Sequence, residues 1–251
     1  MLTMFQLCQV MVMISFSSSI TLLASDQLHP AEVEALTQIG KTVKEDGQPS
    51  LKFVGRCQSG RVVETEPTSA GNSTIECNCS ITDDNYCHIT SFQLEDYDLP
   101  GRLPPELANL TYVQNMSVES NQFSGVVPPE LGKLVNLKTL ILSGNKLVGT
   151  LPEALAQIKD LKDFRASDNN LNGTVPEFIG NWTQLQKLSL EANQFSGTIP
   201  SQLGDLVNLT DLFLSGNKLN GSVPDSFFKT DKKIDVSYNN FSLPPSCQDH
   251  Q

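Results

Sequence analysis

Positive charge is scarce in this 251-residue chain: 17 Lys and Arg face 28 Asp and Glu, for a formal net charge of −11. No basic stripe meets phosphate, so nucleic acid is excluded as a partner, and so is electrostatic docking on anionic lipid. Histidine is scarcer still, and His29, His88 and His250 stand far apart. His88 reads as a cap residue and not as a general base, because no partner for it is visible. Catalytic motifs are missing. There is no Gly-rich phosphate loop, strand Lys, H-R-D or D-F-G, and no G-x-S-x-G elbow or H-E-x-x-H. An enzyme is therefore not expected, and neither a cofactor nor a metal site. A membrane span is also lacking. The apolar stretch 10–16 lies in a 24-residue leader without one charged side chain, interrupted by Gln6, Gln9 and Ser17–Ser19. That is too broken for the roughly 20 apolar residues of a spanning helix. It reads as a signal peptide over 1–24, cleaved after Ala24, which leaves a mature chain with no span and sends it to the secretory pathway.

What is present is rhythm. Gly101, Gly125, Gly149, Gly173, Gly197 and Gly221 step by 24 residues, as do Pro104, Pro128, Pro152, Pro176, Pro200 and Pro224. Four residues before five of these glycines stands an Asn: Asn121, Asn145, Asn169, Asn193 and Asn217. The run before each follows L-x-x-L-x-L-x-x-N, as in Leu185, Leu188, Leu190 and Asn193. A fixed period of about 20–29 residues with this pattern marks a leucine-rich repeat. The expected architecture is an α/β repeat solenoid with one long parallel sheet on its concave side. Inward pairs such as Phe92/Leu94, Met116/Val118, Leu140/Leu142, Phe164/Ala166, Leu188/Leu190, Leu212/Leu214 and Ile234/Val236 define seven strands. Each repeat Asn is expected to turn inward and satisfy backbone groups of the bend.

The domain reading is a signal peptide at 1–24, an N-terminal cap at 25–87, about seven repeats over 88–242, and a tail at 243–251. In the cap, Pro30 and the stripe Val33, Leu36, Ile39, Val43 predict a helix, with Glu32 and Glu34 at its positive end. Such a cap covers the first edge of the stack. Cys57, Cys77, Cys79 and Cys87 imply two disulfides in a secreted chain. Three pairings exist, Cys77–Cys79 is disfavoured, and Cys57–Cys77 with Cys79–Cys87 is preferred. Cys247 is left unpaired, which predicts a disulfide-linked dimer or a missing partner segment. Nine sequons support N-glycosylation at Asn72, Asn78, Asn109, Asn115, Asn172, Asn181, Asn208, Asn220 and Asn240. A glycan on Asn115 would block one end of the strand face.

The phrases LSGNKLVGTLPEALAQIKDL and LSGNKLNGSVPDSF resemble the plant-type extracellular leucine-rich repeat. EVEALTQIGKTV, ECNCSITDDNYCHIT and IDVSYNNF are similar to one subfamily of plant receptor-like Ser/Thr kinases that also carries a malectin-like domain. The resemblance implies the ectodomain of a cell-surface receptor, plasma-membrane associated as part of a full receptor. Span and kinase lie outside this sequence, so kinase activity is not carried over. The expected function is extracellular ligand recognition by a truncated or soluble receptor ectodomain, in the apoplast. The alternative is a secreted inhibitor of cell-wall-degrading enzymes. Expected partners are a protein, peptide or cell-wall carbohydrate ligand, and a co-receptor. The exposed strand face places ligand contacts at Ile141, Arg165, Lys187 and Phe213.

Overall fold

The computed structural model describes residues 26–41, 51–64, 72–81, 84–229 and 232–242. The leader at 1–24, Val43 and Cys247 lie outside the described residues.

The cap opens with α1 (Pro30–Gly40), whose first turn takes Pro30 and whose N-cap is His29, its ring Nδ1 accepting from the Ala31 N–H. Ala35, Leu36 and Ile39 are fully buried on the core side. Glu32 is buried with them, so it serves packing as well as the helix dipole. Three antiparallel strands follow: β1 (Phe53–Gln58), β2 (Arg61–Glu64) and β3 (Asn72–Asn78). β3 pairs antiparallel with β4 (His88–Glu95), the first strand of the repeats. Cys57 is bonded to Cys77 with Cα atoms 5.9 Å apart, and Cys79 to Cys87. The first bond joins β1 to β3, and the second closes the loop that leads into β4.

From β4 onward each coil adds one parallel strand. These are β5 (Asn115–Ser117), β7 (Thr139–Ile141), β9 (Asp163–Arg165), β11 (Lys187–Ser189), β13 (Asp211–Phe213) and β15 (Lys233–Asp235). The concave sheet thus has ten strands, seven of them parallel repeats and three an antiparallel extension from the cap. A period of two turns the paired apolar residues inward, and all but Ile234 and Val236 of the last coil are buried. At the back of each coil the chain leaves its Pro into a one-turn 3-10 helix, from Pro105–Asn109 to Asp225–Lys229, and buries one apolar side chain such as Leu131 or Leu203.

A second parallel sheet runs along the flank. Its strands are β6 (Ser124–Gly125), β8 (Lys146–Gly149), β10 (Asn170–Thr174), β12 (Gln194–Gly197), β14 (Lys218–Gly221) and β16 (Asn240–Phe241). The repeat glycine ends or bends every one of these strands except β16, and at Gly173 it has φ +83°. A Cβ there would also stand 2.7 Å from the Thr150 γ-methyl of the coil before, so no other residue fits without a shift.

The repeat asparagines tie the two sheets together. Asn169 is 8% exposed; its amide donates to the carbonyls of Leu142 (3.0 Å), Ala166 (3.3 Å) and Ser167 (3.0 Å). Its side-chain oxygen accepts from the Leu147 N–H at 2.9 Å. Asn121, Asn145, Asn193 and Asn217 make the same set. Each Asn therefore fills backbone valences of its own bend and of the preceding coil, where water does not reach.

Candidate functional site

The outward residues of the concave strands form columns, because parallel pairing puts equal positions in register. One column reads Asn115, Thr139, Asp163, Lys187, Asp211 and Lys233. From β9 to β15 it alternates in sign at the strand spacing of about 4.8 Å, so its charges compensate one another. The next column reads Gln93, Ser117, Ile141, Arg165, Ser189, Phe213 and Asp235. A third column holds Glu95 at the end of β4 and, beyond the shorter strands, Glu119, Ser143, Ser167, Glu191 and Ser215.

Over β9 to β15 these columns enclose an open groove of about 370 Å³. Arg165, Lys187 and Phe213 line it, as do Glu119, Asp168, Glu191, Asp211 and Lys233. Ile141 is in register with Arg165 on β7 but is not among the lining residues. Arg165 is half-buried and already engaged: its Nε and one terminal nitrogen donate to the two Asp163 oxygens at 2.9 and 2.7 Å. That bond, with Asp163, Glu119 and Asp211 around it, raises the Arg165 pKa further. Burial raises the Glu119 carboxyl above its usual range, and Glu95 adds to the shift. The Asp235 carboxylate is lowered by the Ser237 N–H that it accepts.

Phe213 is half-buried, and Lys233 Nζ sits 4.9 Å from its ring centroid, so one face of the ring already holds a cation. The floor is hydroxylic. Ser167 and Ser189 share a 2.5 Å hydrogen bond, and the Ser143 hydroxyl accepts from the Ser167 N–H at 3.2 Å. Such a surface offers one apolar anchor, two lysines, four carboxylates at the walls and a row of small hydroxyls. It suits an extended polar chain with an apolar side group. Lys233 was not singled out in the sequence, although the inward pair Ile234/Val236 already turns it outward. Counting from Asn239 instead of a 24-residue step puts Lys233 in the column of Lys187 and Asp211.

Asn115 is half-buried on β5, two strands from β9. Asn78, Asn109, Asn172, Asn181, Asn208, Asn220 and Asn240 are exposed, while the side chain of Asn72 lies outside the described residues. Asn172 and Asn220 stand on the flank sheet, β10 and β14.

The Leucine Rich Repeat family profile matches residues 136–158, 184–206 and 208–230. A probable LRR receptor-like serine/threonine-protein kinase of Arabidopsis thaliana, RFK1, is 37% identical over 92 residues, 36% of this chain and 9% of that protein. The chain spans about a tenth of the length of the curated relatives it matches, 11% and 9% for the first two. Among solved structures, the BIR3–SERK2 complex from Arabidopsis thaliana has a chain 31% identical, covering 68% of this chain and 77% of that one at a TM-score of 0.50. The plant peptide hormone receptor RGFR1 in complex with RGF2 is 33% identical over 58% of this chain and 24% of its own, TM-score 0.56. A plant ice-binding protein is 25% identical over 86% of this chain and 65% of its own, TM-score 0.64.

Proposed function

From its place in the leucine-rich-repeat family, homologous to the ectodomains of plant receptor-like kinases, we propose that this chain is an extracellular recognition domain that binds an extended peptide on its concave sheet. The observation that carries the reading is the groove over β9 to β15, with Phe213 as its one apolar anchor. RGFR1, which the chain resembles, is a peptide hormone receptor, and that supports a peptide over a carbohydrate. A second protein acting as co-receptor fits the same reading, since the chain is also similar to a member of the BIR3–SERK2 complex. Among the described residues no helix is long and apolar enough to cross a membrane.

The test is capture of apoplastic peptides by the full glycosylated chain, followed by titration of the captured peptide. Replacing Arg165 and Phe213 with Ala weakens that binding by about 1–4 kcal/mol in total. The fold is retained, because both side chains face outward. Unchanged affinity, or capture of a wall-degrading hydrolase in place of a peptide, sinks the proposal; the second result supports the inhibitor reading.

A second reading has its own observation. One residue past each repeat glycine, along the edge of the flank sheet, Val126, Thr150, Thr174, Thr198 and Ser222 form an exposed, uncharged rank at one residue per coil. The methyls of Val126, Thr150, Thr174 and Thr198 stand against the glycine of the next coil, 2.7 Å from an added Cβ at Gly173 and 2.9 Å at Gly221. A rigid, flat, periodic rank of hydroxyl and methyl groups suits a crystalline surface, and the plant ice-binding neighbour makes ice the one to try. Thermal hysteresis of the chain without glycans on Asn172 and Asn220 decides this reading.

A further inference from the structure

The cap holds a cluster of titratable side chains that the groove does not use. Glu32 of α1 is 1% exposed, and His88 at the start of β4 has a side chain 4% exposed. Glu32 Oε1 lies 3.1 Å from His88 Nδ1, and Glu32 Oε2 accepts from the Ile89 N–H at 3.1 Å. On its other side, His88 Nε2 lies 3.0 Å from Asp84 Oδ2. Asp84 belongs to the loop before β4 and also accepts from the Tyr86 N–H. The remaining titratable groups against this centre are rings. His29, the N-cap of α1, stacks on His88 at 5.7 Å, Tyr112 lies at 4.2 Å, and Tyr86 meets His29 edge-on at 5.3 Å.

Donor counting decides what holds this arrangement. An ionised carboxylate only accepts, and a neutral imidazole donates from one nitrogen alone. Two carboxylates facing the two nitrogens of one ring therefore need one proton more than a neutral imidazole brings. That proton rides on the ring, which then donates both ways, or on Glu32, which then donates to Nδ1. Either form fills both contacts. When the proton leaves to solvent, a ring lone pair faces a carboxylate, and a negative charge on Glu32 is buried without a compensating cation.

We propose that Glu32, His88 and Asp84 form a proton-held clasp that docks the cap helix on the first repeat strand and releases it when the proton is lost. The clasp joins two parts of the chain 56 residues apart: α1, and β4 with the loop that leads into it. Burial supports the direction, since it raises the Glu32 carboxyl from its ordinary 4.5 to about 7. A folded pKa above the unfolded one means that the clasp is at full strength below about 4.5 and is lost as pH rises through about 7. Cap docking is thereby tied to proton concentration, while the repeats behind it carry no such cluster among the described residues.

Hydrogen exchange of the full chain, corrected for the intrinsic rate, tests this at pH 5 and pH 8. Amides of α1 and of Ile89 are expected to lose about tenfold in protection at the higher pH, and amides of β11 and β13 less than about twofold. Glu32→Gln supplies a neutral amide that still accepts from Ile89 and can donate to Nδ1. It removes the need for the extra proton, so its protection is expected to be flat with pH. Asp84→Asn, at a half-exposed position, lets the ring donate to Glu32 but leaves that carboxyl buried, so its pH dependence is expected to shrink and not vanish; it serves if the first variant does not fold. Equal wild-type protection at both pH values, or a Glu32→Gln or Asp84→Asn variant that keeps the wild-type pH profile, overturns the proposal.

Discussion

The cap and the repeat body solve the same problem by different means. In the body, one coil is fastened to the next by a set of bonds repeated at every step: the Asn ladder, the parallel strands and the threonine methyls over glycine. No single coil is indispensable to the plan. In the cap, nothing repeats. An antiparallel hairpin, two disulfides and one buried carboxylate–imidazole cluster each occur once. A periodic structure can spread its stability over neighbours, whereas a terminus has a neighbour on one side only and needs contacts of its own. The difference teaches that damage in the body should be shared and graded, and damage in the cap local and abrupt.

The strongest challenge to that contrast is a cavity in the middle of the body. Phe164 is fully buried and meets Trp182 edge-on at 5.3 Å, and Trp182 meets Phe178 at 5.6 Å. Phe164→Ala should cost about 3–5 kcal/mol in chemical unfolding. If stability is shared, protection should fall in β7 and β11 as well as in β9. A loss confined to β9 would show the coils to be independent.

Removing both disulfide bonds by Cys→Ser should cost about 2–5 kcal/mol in the cap. Limited proteolysis should then cut between residues 51 and 87 while residues 96–229 stay whole. Cleavage spread through the repeats would show that the body depends on its cap for order, and the distinction drawn above would fall.

The smallest effect sharpens the comparison. Asn169→Ala leaves the Leu147 N–H of the neighbouring coil without a partner and takes one of two donors from the Leu142 carbonyl, which keeps the Asn145 amide. Each bared group costs about 1–3 kcal/mol when buried, and relaxation or an entering water recovers part. We expect a net loss of about 1–3 kcal/mol with the fold intact, measured by urea titration. A neutral result would mean that the ladder is decoration and the leucines alone hold the stack.

Much of the body could be read from residues alone. Periodic Leu and Asn at fixed phase specify strand, bend and inward face together, because one 24-residue unit repeats the same burial problem. The flank sheet could not be read in the same way. Its strands are two to five residues long, too short for alternation to appear, and only the column of Thr and Gly across repeats betrays it. The cap was legible as a helix with disulfides, but its three antiparallel strands were not, since 53–64 and 72–78 carry no clean period of two. Glu32 looked like a dipole partner from its place in the first turn. Its burial depends on His88, 56 residues away, which no local pattern can announce. In the groove, Arg165 and Phe213 share one column, Lys187 stands in the next, and all three line it. Ile141 is not among the lining residues, although Glu119 and Ser143 just past β5 and β7 are.

The Asn ladder also gives the stack a direction. Each Asn fastens its own coil to the one before it, and never to the one after: Asn217 reaches back to Leu190 and Phe195, as Asn193 reaches back to Ala166 and Leu171. Under tension applied to its two ends, the chain is therefore built to yield from the C-terminal side. The last coil takes its own Asn with it and leaves the next one fully stitched. After the shorter last coil each event would release 24 residues, about 80 Å of extended chain, so a solenoid of this design would lengthen in even steps and rewind in the reverse order.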